Sequence, residues 1–245
     1  MSEKVPKILM IVEGAKTDVK LMTHLLDMYG ISRNHEIVSY NTNIYTLYRE
    51  MFADGDPDSM DILQILKSRE SDQDKKKIFD EVYSDILLIF DLDPQAPDYS
   101  ADKINEMQQY FTESSDMGKL YLNYPMVEAF YHMEEIPDSN YLNRTAPLEE
   151  LKKGEYKTRV NKENRNHDYT KYVVDREECN TVIKQNIDKG FWLTKEDKTM
   201  QLPDLNKILL KQVDSLNTEK KIWVLCNCAY YIADYNSKLI ERRCR

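Results

Sequence analysis

The stretch SDILLIFDLDPQAPDYS (84–100) decides the fold. Five consecutive apolar residues, Ile86 to Phe90, run straight into Asp91-Leu92-Asp93-Pro94. A short unbroken apolar run bounded by turn residues marks a strand buried on both faces, as in parallel sheets covered by helices. The Asp-Leu-Asp-Pro that follows then falls at the strand's carboxyl end, where open α/β sheets hold ligands.

Toward the N-terminus, KILMIVEG (7–14) has the same form, an apolar run closed by Glu13-Gly14. AKTDVKLMTHLLDMYG comes next, with Val19, Leu21, Met22, Leu25, Leu26 and Met28 at helical spacing and Gly30 placed to end the helix. HEIVSY (35–40) reads as a short strand. Residues 44–53 and 59–68 read as helices separated by the ADGDPDS turn cluster, and Lys75 to Tyr83 as another helical piece. Beyond the acidic loop the pattern predicts a helix over 101–111, a strand over GKLYLNYP (118–125) and a helix starting at MVEAFYHMEE after Pro125. This β-α-β-α-α-β-α-β-α alternation predicts an α/β fold with a central, mostly parallel sheet flanked by helices.

From about residue 138 the pattern changes. Residues 138–170 are polar and rich in Asn and Lys, 171–190 read as an amphipathic helix, and WLTKEDKTMQLPDLNKILLKQVDSL as a loop and a helix. KKIWVLCNCAYYIADY is an apolar closing segment that fits a strand, a helix, or both in succession. The expected organisation is a core over 1–137 and a basic, mixed or helical extension over 138–245, packing on the core or completing it.

With 41% hydrophobic and 31% charged residues, and only 6 Gly and 8 Pro, the 245-residue chain can build a core and is no loop-dominated or repeat fold. No apolar stretch approaches the roughly 20 residues of a membrane span. The N-terminal apolar run is broken by Glu13 and lacks a small-residue cleavage site, so it reads as a strand rather than a signal peptide, and a cytoplasmic protein is expected. Without an export signal, Cys179, Cys226, Cys228 and Cys244 do not suggest a disulfide framework. Cys226-Asn227-Cys228 has one intervening residue instead of the two or more of zinc knuckles, so both cysteines read as small apolar residues. The four histidines (24, 35, 132, 167) are scattered and need no special role.

Charge is split along the chain. Residues 1–150 carry 14 Lys and Arg against 29 Asp and Glu, whereas 151–245 carry 20 against 14. An acidic N-terminal part suits cation binding and a basic C-terminal part suits phosphate; solvated surface charge would give the same totals.

In an extended chain residues i and i+2 point the same way, so Asp91 and Asp93 can converge on one point. Two carboxylates held close raise each other's pKa unless a cation lies between them, and Mg²⁺ or Mn²⁺ removes that cost while keeping sites open for phosphate. Glu13 and Glu128, each expected in the first turn of a helix, fit either a metal or acid–base role or simple stabilisation against the helix dipole. Asp18, one turn beyond Gly14, can approach the same end of the sheet.

VEG at 12–14 and DLD at 91–93, separated by alternating α/β, resemble the Toprim domain of topoisomerases, primases, ribosomal-RNA maturation nucleases and OLD-family nucleases of bacterial and phage conflict systems. The stretch EGAKTDVKLMTHLL is similar to the EGxxTE/D helix start of OLD-like and RloB-like proteins, and LNYPMVEAFYHM to the NPxxExxLL stretch of the latter. The resemblance covers about residues 7–133. Asn123-Tyr124-Pro125 departs from a direct Asn-Pro, and an extra acidic helical piece precedes DLD. What it implies is a Rossmann-like Toprim fold, Glu13 as general acid/base, Asp91 and Asp93 on Mg²⁺, and Asp18 and Glu128 in support. The implied function is a divalent-metal-dependent nuclease acting on DNA or RNA, an effector in anti-phage defence with a nucleic-acid partner. An ATPase partner protein and a homo-oligomer are further expectations from the same source.

Rival readings remain. A haloacid-dehalogenase-type phosphatase also ends a strand in DxD, but wants Thr or Val where this chain has Gln95. A DxD nucleotide-sugar transferase finds no other support, and a non-catalytic Toprim-like sensor or partner subunit keeps the shape without the chemistry. The densest positive charge, Lys152, Lys153, Lys157, Arg159, Lys162 and Arg165, is the expected phosphate-contacting segment, distant from the carboxylates, with Tyr156 and Tyr169 placed to stack on unpaired bases.

Overall fold

A computed structural model describes residues 7–241 apart from 54, 116, 173–174 and 199–200; Cys244 lies outside the described residues. Strand β1 (Lys7–Val12) leads into α1 (Thr17–Met28), β2 (His35–Ser39), α2 (Ile44–Phe52), α3 (Ile62–Arg69) and a single turn α4 (Gln73–Lys76). Next come β3 (Tyr83–Asp91), α5 (Ala101–Tyr110), β4 (Thr112–Glu113) and β5 (Gly118–Tyr124). The rest of the chain forms β6 (Thr145–Pro147), α6 (Leu148–Lys152), α7 (Tyr156–Glu163), α8 (Arg176–Thr194) and α9 (Leu205–Glu219). It closes with β7 (Lys221–Trp223), β8 (Leu225–Cys226), α10 (Tyr230–Tyr235) and α11 (Lys238–Glu241).

The main sheet has the order β2-β1-β3-β5-β4, with β8 also pairing β5. Pairs β1–β2, β1–β3 and β3–β5 are parallel; the β4 and β8 pairings are antiparallel. The apolar runs explain who sits in the middle. Leu9 to Val12 and Leu88 to Phe90 have no exposed surface, so β1 and β3 are central, whereas β2 is half-buried at the edge. Helix α1 lays Leu21, Met22, Leu25 and Leu26 into the core as its spacing predicts, and Gly30, at φ +69°, follows its end. The chain leaves β1 for β2 on one side and returns to β3 on the other, so the strand order reverses between β1 and β3. In doubly wound sheets that crevice is where ligands bind.

Three local expectations are corrected. The helix expected after Pro125 is a 3₁₀ turn, Val127–Tyr131, all of it buried, following the cis Tyr124–Pro125 peptide. The piece at 75–83 is divided between the end of α4, a 3₁₀ turn (Lys77–Asp80) and the start of β3. The helix expected over 171–190 runs Arg176–Thr194, capped by the Asp175 side chain on the Glu178 amide; residues 173–174 of that expectation lie outside the described residues. The closing segment is strand and helix in succession, and β8 pairs its Leu225 with Tyr124 and Cys226 with Asn123. No described helix is long and apolar enough to cross a membrane.

Candidate functional site

Because β1 and β3 are parallel neighbours with Val12 opposite Ile89, the residues that follow emerge side by side. The amide of Glu13 donates to Ile89 O (3.0 Å) and the amide of Asp91 donates to Glu13 Oε2 (3.1 Å). Asp91, the last residue of β3, is itself held by Asn123 of β5, whose Nδ2 donates to its Oδ1 across 3.2 Å. Asn123 Oδ1 in turn accepts from the Cys228 amide (3.2 Å) and Cys226 Sγ (3.4 Å). The single expected acidic cluster therefore stands at the carboxyl end of the sheet, at the reversal of strand order.

The reason given for pairing the two aspartates needs correcting. Asp93 does not continue the strand: its φ is +43°, in the left-handed region that Asp tolerates better than most residues. Its amide donates to Pro125 O (3.2 Å) and its Oδ1 accepts from Gln95 Nε2 (2.9 Å). Tyr45 on α2 fixes the same loop, its hydroxyl donating to Leu92 O. Asp93 reaches the site through this tight turn, not through strand alternation.

Asp18 lies in the first turn of α1, nine-tenths buried or more, and a Cβ on Gly14 would stand only 2.6 Å from its Oδ2. The glycine of Glu-Gly thus leaves room for the Asp18 carboxylate against the backbone. Glu13, Asp18, Asp91 and Asp93 all line one open cleft of about 580 Å³. Glu128 stands behind it, buried in the 3₁₀ turn and not in a helix, with Oε1 paired to Lys157 Nζ at 2.9 Å.

Burial and mutual repulsion shape the protonation. Burial, then Asp93, raises the Glu13 carboxyl to about 8. Burial first, and Glu128 among the charges, raises Asp18 to about 6. Asp91 is pushed well up by burial and then by Glu13, Asp18, Asp93 and Glu128 together, while Asp93 is raised by burial against the opposing pull of Gln95 and Lys157. Burial works against the Lys157 ammonium, yet Glu128, Asp91 and Asp93 outweigh it and hold its pKa up.

The donor set is chemically that of a hard cation: carboxylates only, crowded, with Asp18 Oδ1 and Glu128 Oε2 buried and unbonded among the described residues. Spacing is less complete. Among the described residues no three or more His, Cys, Asp or Glu groups are set to hold a metal ion as they stand. Closing on one requires side-chain movement, and Glu128 can join only once Lys157 releases it.

The basic segment is dispersed, not clustered. Lys157 lines the acidic cleft, correcting the expectation that this segment lies away from the carboxylates. Arg159 turns inward, its Nη2 donating to Thr145 O and its Nε paired with Glu150, and Arg165 is tied to Glu178. Lys153 approaches Glu149 only at 3.9 Å, and Lys152 and Lys162 are exposed. Tyr156 is buried, its hydroxyl against His132 Nδ1 at 3.1 Å, so it is not available for stacking; Tyr169 is half-buried beside the site.

Two parts of the site escaped sequence reading. Asn123 could have been noticed as the lone amide in the buried run LYLNY, but nothing in the sequence joins it to Cys226 and Cys228. Lys157 is legible as one of the expected phosphate-contacting cluster, but nothing in the sequence sets it against Glu128 and the carboxylates. Comparison of the chain with family models, with curated proteins and with solved structures gives no match.

Proposed function

We propose that the chain is a Toprim-like, divalent-metal-dependent nuclease that hydrolyses phosphodiester bonds in nucleic acid. One observation carries the reading: two adjacent parallel strands end in Glu13 and Asp91, bonded to each other, with Asp18 and Asp93 in the same open cleft at the reversal of strand order. A buried crowd of carboxylates costs stability, and structures keep such groups together where they serve a site.

In this reading Asp91, Asp93 and Glu13 hold Mg²⁺ or Mn²⁺, with Asp18 and Glu128 available to complete the set, and the bound ion supplies charge neutralisation for an approaching phosphate. The residues' own roles follow from their surroundings. Glu13, whose carboxyl is raised to about 8 in the metal-free site, serves as general acid or base where Asp91 and Asp93 alone hold the ion. Asn123 fixes the rotamer of Asp91, Gln95 that of Asp93, and Gly14 admits Asp18. Lys157 offers a cation to phosphate at the mouth of an otherwise repelling cleft. Titration calorimetry with Mg²⁺ and Mn²⁺, beside cleavage assays on plasmid, single-stranded DNA and tRNA, tests the proposal. Neither binding nor cleavage in the wild type would end it.

The Lys157–Glu128 pair favours a second reading, a non-catalytic Toprim-like subunit in which a lysine supplies the positive charge. Metal affinity that is absent in the wild type and appears in Lys157→Ala selects that alternative.

A further inference from the structure

Beside the carboxylate cleft, and sharing Lys16 and Thr17 with it, lies a second pocket of about 190 Å³. Its walls are aromatic: Phe130, Tyr131, Tyr169 and Tyr172. Tyr131 stands 5.2 Å from Tyr169 and 5.7 Å from Tyr172 between ring centroids, and Tyr172 is edge-on to Phe130. Lys20 and His24 of α1 complete it on the polar side.

Two buried polar atoms here have no partner among the described residues, His24 Nε2 and the Tyr172 hydroxyl, and Tyr172 is only 1% exposed. A sealed hydroxyl and a sealed imidazole nitrogen left unbonded in one pocket are costly unless a ligand meets them. Lys16 and Lys20 are exposed and make no ion pair among the described residues, so their charge is free for an anion. The volume is below the roughly 300–1,000 Å³ that buries a drug-sized ligand, so one planar ring system fits and a whole nucleotide does not.

We propose that this pocket receives one unpaired base of a nucleic-acid strand, with the adjoining phosphate passing Lys16 and Lys20 toward the carboxylate cleft. Stacking on the open face of one ring, that of the half-buried Tyr169, tolerates any base, and His24 and Tyr172, once their side chains turn out of the wall, supply hydrogen bonds to a base edge. A paired base cannot enter, so the substrate class is single-stranded nucleic acid or a frayed or flipped position. The inference rests on the nuclease reading for what happens at the phosphate, but the base pocket is testable without it.

The test uses the full chain carrying Asp91→Asn and Asp93→Asn, in EDTA, so that neither metal nor cleavage contributes. A single-stranded oligonucleotide containing 2-aminopurine is titrated, and its quenching reports a stacked base. Adding Tyr169→Ala is expected to weaken binding about tenfold and to abolish the quenching, whereas Tyr169→Phe retains both. Lys16→Gln with Lys20→Gln, at two exposed positions, is expected to lower affinity and to flatten the salt dependence by about 0.7 per lost phosphate contact. Equal binding by Tyr169→Ala, or a duplex bound as tightly as the single strand, overturns the proposal. A mononucleotide competing as well as the oligonucleotide overturns the proposal, because the strand then contributes nothing beyond its base. Cleavage that fails in the wild type while quenching persists here removes only the nuclease reading, and quenching that fails while cleavage persists removes only this one.

Discussion

The amide of Asp91 donates to the Glu13 carboxylate across 3.1 Å, so the backbone at the end of β3 holds the side chain that follows β1. That single bond favours the charged form of Glu13, yet burial and Asp93 prevail and its pKa rises to about 8.

Titration of this group sets the first prediction. Glu13 and Asp18 have raised values, near 8 and near 6, so the folded state retains protons that the unfolded chain has released. Their contribution to stability is therefore fully present below the ordinary carboxylate range, about pH 4, and is lost as pH rises through 6 and then 8. Urea midpoints measured in EDTA from pH 5 to 9 should fall for the wild type more steeply than for Glu13→Gln. Parallel curves would contradict the buried-carboxylate picture.

Relieving the repulsion should also stabilise the metal-free protein. Asp91→Asn keeps the shape, and the Asn123 contact with Oδ1 survives. A gain of about 1 kcal/mol, seen as a melting midpoint about 2–4 °C higher at pH 8, is expected together with loss of Mg²⁺ binding. Wild-type metal affinity in this variant would remove Asp91 from the ligand set.

Gly14→Ala tests the room left for Asp18. The new Cβ would stand 2.6 Å from Asp18 Oδ2, so the carboxylate must swing away. A stability loss of about 1 kcal/mol is expected, the usual size of a single-site effect, with weaker Mn²⁺ binding by calorimetry. Unchanged values for both would mean that the backbone shifts at no cost.

Behind Tyr156, which lines the cleft, His132 links to Arg144, and Arg144 organises the C-terminal half. Its guanidinium meets Asp138 (2.8 Å), Glu163 (2.9 Å) and Glu134 (3.0 Å), with His132 alongside, whose pKa burial and Arg144 push down to about 2. Arg144→Ala leaves the buried Asp138 without its cation and is expected to cost about 3–5 kcal/mol in chemical denaturation. A loss under 1 kcal/mol would show that the Asn140 and Glu134 amides satisfy Asp138 alone.

Legibility in the sequence followed the range of the interactions. The strands KILMIV and ILLIFD announce themselves because burial on both faces demands unbroken apolar runs, and with α1 they put Glu13 and Asp91 at one end of one sheet. The turn at Asp93 was not legible, because its left-handed backbone is set by Pro125 O and by Tyr45 holding Leu92, both distant in sequence. After Pro125 helical composition misled: the segment is hydrophobic all round because it is wholly buried, and a 3₁₀ turn suffices there. Lys157 and the aromatic pocket depend on where residues 130–172 fold back, which periodicity does not encode.

Asn123 ties Asp91 to Cys226 and Cys228, a span of over a hundred residues. During synthesis the chain leaves the ribosome N-terminus first, and Glu13, Asp18, Asp91 and Asp93 all emerge early. The Asn123 amide that holds Asp91 is oriented only once β8 and the Cys228 amide beyond it reach β5. A chain translated only through β5 thus carries these acids and the Asn123 amide, but not the Cys226 and Cys228 contacts that orient that amide. If the site cuts nucleic acid, translation itself times its arming, because the support of Asp91 waits on the return of β8 to β5.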